Sequence, residues 1–93
     1  MGYRIRDGIV YMKICEVPLL ITTNQIWKYC DHVKQLSPFS EVFWQSFMEG
    51  MSEDELFDVF ELPQDIPEET VRKLYRRFYE EMCSKGYLII END

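Results

Sequence analysis

The chain has 93 residues, of which 46% are hydrophobic, 15% aromatic and 29% charged. That is enough to close one core and too little for a second domain. Seventeen acidic side chains against ten basic ones leave a net charge of −7, which opposes tight contact with DNA, RNA or an anionic membrane.

The longest apolar run, Val17 to Ile21, is interrupted by Pro18 and falls short of the ~20 residues of a membrane span. Arg4, Arg6 and Asp7 put charge where a secretion signal needs an apolar stretch. A cytoplasmic protein is expected. Cys15, Cys30 and Cys83 are an odd number without a CxxC pair, so neither a disulfide framework nor a zinc ribbon is indicated. Cys30 with the lone histidine, His32, supplies two ligands where zinc uses three or four, and no metal is expected.

Taken in chain order, the first third reads as strands. Tyr3 to Arg6 and Ile9 to Ile14 flank the turn-forming pair Asp7-Gly8, Val17 to Thr23 follows, and the three suggest a meander. Asn24 to Tyr29 fits either a short helical turn or a loop, and His32 to Leu36 fits a further strand.

From Ser37 the period becomes helical. Ser37 is placed as an N-cap with Pro38 at the first helical position, and Phe39, Val42, Phe43, Ser46 and Phe47 form a stripe that Gly50 ends. Ser52-Glu53-Asp54-Glu55 has the S-x-x-E form of a capping box, with Leu56, Val59 and Phe60 as the apolar stripe behind it. After the loop Leu62 to Pro67, Val71, Leu74, Tyr75, Phe78 and Met82 mark the longest helix, which stops at Lys85-Gly86. Tyr87 to Ile90 can form a last extended segment, with a fraying tail from Glu91. The expected architecture is one α+β domain over residues 1–93, winged helix-turn-helix-like, with a small N-terminal antiparallel sheet (strands about 3–36) packed on three helices (about 38–86).

The charge is not spread evenly. Residues 1–48 carry five basic and four acidic side chains, Glu49 to Glu69 carry nine acidic and none basic, and Thr70 to Asp93 carry five basic and four acidic. The third helix holds Arg72, Lys73, Arg76 and Arg77, and the order of the last two helices is that of a helix-turn-helix. A winged-helix DNA-binding regulator is therefore the alternative reading. Against it, Glu68, Glu69, Glu80 and Glu81 stand four residues from those cations, and the preceding helix is strongly acidic. Enzymatic signatures are missing: the glycines are isolated, there is no phosphate-binding loop, and Cys30 with His32 makes a weak dyad. No catalytic residue and no cofactor are expected.

The run Leu36-Ser37-Pro38-Phe39-Ser40-Glu41-Val42-Phe43-Trp44, then Gly50-Met51-Ser52-Glu53-Asp54-Glu55-Leu56, then Phe78, Met82 and Gly86-Tyr87-Leu88, resembles the PqqD-like family of peptide chaperones, the RiPP recognition elements. The likeness spans about Leu19 to Leu88. The chain departs from the family in Ser37 and Phe39, and in Phe43 before Trp44, which leaves the subfamily and the modified product open.

The resemblance implies a non-catalytic adaptor. It would take the leader segment of a ribosomally made precursor as an added strand and present the rest to a modifying enzyme, a radical SAM maturase being the frequent partner. Its implied edge is His32, Val33, Lys34, Gln35 and Leu36, and its implied groove wall is Arg72, Leu74, Tyr75, Phe78 and Tyr79. Lys34, Arg72 and Arg76 would meet acidic groups of the leader, which would dock away from the acidic second helix. On periodicity alone, Leu74, Tyr75 and Phe78 are core rather than groove, and Tyr79 lies off that stripe.

Overall fold

The computed structural model describes residues 2–23 and 33–91. The element order is β1 (Gly2–Ile5), β2 (Ile9–Ile14), β3 (Val17–Thr22), β4 (Val33–Gln35), α1 (Pro38–Met48), α2 (Glu53–Val59), α3 (Glu68–Ser84) and β5 (Leu88–Glu91). The α+β class is as the sequence indicates. The stretch from Asn24 to His32, including Cys30, lies outside the described residues.

The strands divide in a way the sequence does not announce. β2, β3 and β4 form an antiparallel meander, while β1 pairs antiparallel with β5, Tyr3 opposite Ile90 and Ile5 opposite Leu88. The expected β1–β2 pairing is thus corrected: Asp7-Gly8 is a turn between two sheets, with Gly8 at φ 94°. The α3 end explains the switch. Gly86, at φ 87°, donates its N–H to Cys83 O, and Tyr87 donates to Met82 O at 2.9 Å, the paired bonds of a glycine C-cap that reverses the chain. The reversal lays Tyr87 and Leu88 beside β1, where the Arg6 N–H reaches Tyr87 O at 3.0 Å and Arg6 Nε reaches Gly86 O at 2.6 Å. Glu91, expected to fray, is paired with Gly2.

Helix starts follow the local chemistry. Ser37 accepts from Ser40 N with Pro38 in the first turn, and Ser52 and Glu55 close the reciprocal capping box. Gly50 at φ 73° ends α1 by the same paired bonds, to Phe47 O and from Met51 to Ser46 O.

The core is one cluster: Leu20 and Leu36 from the meander, Phe43, Trp44 and Phe47 from α1, Leu56 and Phe57 from α2, Val71, Tyr75, Phe78 and Met82 from α3, and Tyr87 and Leu88 at the end. Two stripe positions differ from expectation. Phe57, not Val59, faces inward on α2, and Leu74 on α3 is 37% exposed. The Trp44 indole N–H is buried with no acceptor among the described residues.

Among the described residues, one face of the meander meets the helices. Leu20 is fully buried there, and Glu41 on α1 binds both the Tyr11 hydroxyl and Lys13. The opposite face leaves Val10, Met12, Ile14 and Val33 open to solvent.

The β2–β3 turn is made by Cys15 and Glu16, both at positive φ (51° and 67°), a conformation that suits asparagine and glycine. The double substitution Cys15→Asn with Glu16→Gly is expected to stabilise the fold by about 1 kcal/mol. Thermal denaturation should show a rise of about 4–8 °C.

Candidate functional site

β4 is an edge strand, and its ladder phase fixes what it offers. Leu36 N bonds Pro18 O at 3.0 Å, and Lys34 lies opposite Leu20. Backbone groups alternate in direction along an antiparallel strand, so those of Lys34 and Leu36 face β3 while those of Val33 and Gln35 face outward. No strand among the described residues pairs with that outer edge. The Lys34 side chain turns toward the helices and binds Glu81 on α3 at 3.0 Å, whereas Val33 and Gln35 sit exposed on the other face and Leu36 is in the core. His32 lies outside the described residues.

A groove of about 340 Å³ lies between the start of α1 and one flank of α3, and its rim residue Glu81 is the one that Lys34 of β4 binds. Phe39, Phe43, Leu74 and Phe78 make its apolar wall, with Arg77 and Glu81 at the rim. Arg77 is exposed and joins no ion pair among the described residues. Sequence reasoning missed it, because Glu81 stands four residues away and looked like its partner. In the fold Glu81 is taken by Lys34 and by Lys85 at 3.4 Å. Burial works against the Glu81 carboxylate, yet Lys34 and Lys85 hold it below the usual range.

The other expected groove residues are elsewhere. Arg72, Tyr75, Arg76 and Tyr79 lie on the opposite flank of α3, facing α2 and β1. Arg72 binds Glu53 at 2.7 Å, Asp54 at 3.0 Å and Glu68 at 3.0 Å, with its guanidinium 4.6 Å from the centre of the Phe57 ring. Arg76 grips Glu53 through Nε and Nη2, both at 3.0 Å. These bonds raise the pKa of both guanidiniums and lower that of Glu53.

Tyr75 is core, at 5% exposure, and Tyr79 is half-buried against Tyr3, Phe47 and Tyr75. Lys34, Arg72 and Arg76 are the cations expected to meet acidic groups of a leader. Each is already matched to a carboxylate, because α2 lays its acidic first turn against the basic flank of α3 and Glu81 reaches β4.

Among the described residues, no group of three or more histidine, cysteine or acidic side chains could hold a metal ion. No helix among them is long and apolar enough to cross a membrane. Cys15 is exposed in its turn, and burial pushes the half-buried Cys83 thiol up. Comparison of the chain with protein-family models, curated proteins and solved structures finds no match.

Proposed function

We propose that the protein is a non-catalytic peptide-binding adaptor of the PqqD-like kind, acting in the cytoplasm. It captures the leader segment of a ribosomally made precursor by strand addition and presents the core segment to a modifying enzyme, a radical SAM maturase by the family resemblance. The observation that carries the reading is the outer edge of β4, unpaired among the described residues, on a strand tied through Lys34 and Glu81 to the Leu74–Phe78 groove. The outward N–H and C=O groups of Val33 and Gln35 suit any extended peptide, and the groove selects side chains on the face that turns toward α3. A large apolar residue fits against Leu74 and Phe78, and an acid two positions along fits Arg77, which has no carboxylate partner among the described residues. Holding the leader on a protein that also contacts the enzyme raises the local concentration of the core peptide. The DNA-regulator alternative draws little support from a basic helix whose Arg72, Lys73 and Arg76 are all paired with acids.

The test is titration of a labelled leader peptide, encoded beside the gene, against variants of the edge. Gln35→Pro removes an outward N–H that β3 does not use, a place where a sheet tolerates proline. It is expected to weaken binding at least about tenfold while the fold stands, since a lost ladder bond and a clash with the added strand act together. Arg77→Glu should weaken an acidic leader, and Tyr79→Ala, on the other flank, should leave the edge unaffected. Absence of saturable binding to any such peptide sinks the reading.

A further inference from the structure

The flank of α3 away from β4 holds a second concavity, of about 400 Å³, between β1, the start of α2 and α3. Its walls are the rings of Tyr3, Tyr75 and Tyr79, with Tyr3 and Tyr79 edge to face at 5.9 Å and Tyr75 and Tyr79 stacked at 6.4 Å. The Tyr3 hydroxyl donates to Met51 O at 2.6 Å, which fixes its ring.

Three charged groups stand around the rings. Glu53 is bonded twice by Arg76 and once by Arg72, which stands outside the lining. Glu80 is exposed and joins no ion pair among the described residues, so the lining is left one negative charge in excess. Burial raises the Tyr3 phenol to about 12, with Tyr79 and then Glu55 adding to that rise.

We propose that this pocket docks a basic side chain, lysine or arginine, presented by a polypeptide partner. The match is one of shape and charge. A basic side chain has an apolar stem that can lie on aromatic rings and a cationic tip that such rings and a carboxylate both attract. A carboxylate ligand would meet Glu80 instead, and a purely apolar one would leave that charge unused. The site is separate from the β4 edge and does not depend on strand addition there.

The test is an amide-resolved NMR titration of the whole protein with three blocked tripeptides, Gly-X-Gly with X lysine, norleucine or glutamate, and with butylammonium. The lysine peptide should give saturable shifts centred on Tyr3, Tyr79 and Glu80, weaker as salt rises. Glu80→Gln, at an exposed position that the fold does not use, should weaken it about two- to fivefold. Tyr79→Leu, which keeps apolar bulk, should do so by a similar factor. Equal binding of norleucine, no effect of Glu80→Gln, shifts confined to Val33 and Gln35, or no saturation would each overturn the proposal. Butylammonium binding as tightly as the peptide would overturn the polypeptide source.

Discussion

Phe47→Ala is expected to destabilise the protein by about 3–5 kcal/mol, the range for removing a buried ring from a packed core. Phe47 is 3% exposed and meets five other rings: Tyr3 at 5.4 Å, Trp44 at 6.0 Å, Tyr75 and Phe78 at 5.8 Å each, and Tyr79 at 6.0 Å. These rings come from β1, α1 and α3, so no single neighbour can move in to fill the space without disturbing another. The loss rivals the whole stability of a small domain, about 5–15 kcal/mol. Urea denaturation should show a midpoint lower by at least about 1 M, or a chain already unfolded in buffer. Phe47→Leu keeps most of the volume and should cost about 1.5 kcal/mol or less. An alanine variant that lost less than about 1 kcal/mol would show that these rings do not form a joint core.

How much of this was readable beforehand divides by the range of the interaction. Ser37, Ser52 with Glu55, Gly50 and Gly86 satisfy backbone groups within a few residues of themselves, and Pro38 removes an N–H that the first turn would leave unpaired, so their chemistry is visible in a short window, and the structure places them as expected. The pairing of β1 with β5 joins Gly2 to Glu91, and no local pattern marks it. A turn pair such as Asp7-Gly8 suggests a hairpin, but only the reversal at Gly86 decides which strand lies beside Tyr3. Ion pairs follow the same rule. Arg72 with Glu68 is an i,i+4 pair and legible, whereas Glu53 with Arg72 and Arg76 spans helices.

That difference redrew the candidate site. The β4 strand could be named from its residues, since extended character is a property of one segment, and its place at an edge came from the family resemblance. The groove could not, because it depends on which flank of α3 faces β4. Leu74 and Arg77 occupy that flank, and Tyr75 and Tyr79 the other. The Lys34–Glu81 bond identifies the facing side, and it was hidden by Glu81 standing at pairing distance from Arg77 along the helix.

Glu53→Gln is expected to lower stability by about 1–2 kcal/mol at neutral pH, because one carboxylate, at 21% exposure, holds Arg72 and Arg76 together and so fastens α2 to α3. The pH dependence distinguishes this from a packing defect. The hydrogen bonds from Arg76 lower the Glu53 pKa from its ordinary 4.5; partial burial opposes them, and Arg72 adds to the lowering. A carboxyl with a depressed folded-state pKa binds its proton more readily in the unfolded chain. Its contribution is therefore complete above the unfolded value and is lost as pH falls through the folded one. The gap between wild type and Glu53→Gln should be constant from about pH 7 to about 5.5 and should narrow below about pH 4.5, where the unfolded chain takes up the proton while the folded carboxyl, held lower, is still charged. Urea titrations at a series of pH values measure this directly. A gap that persisted unchanged to about pH 3 would mean that Glu53 acts through shape alone, and that the charge of the acidic block does not fasten these two helices.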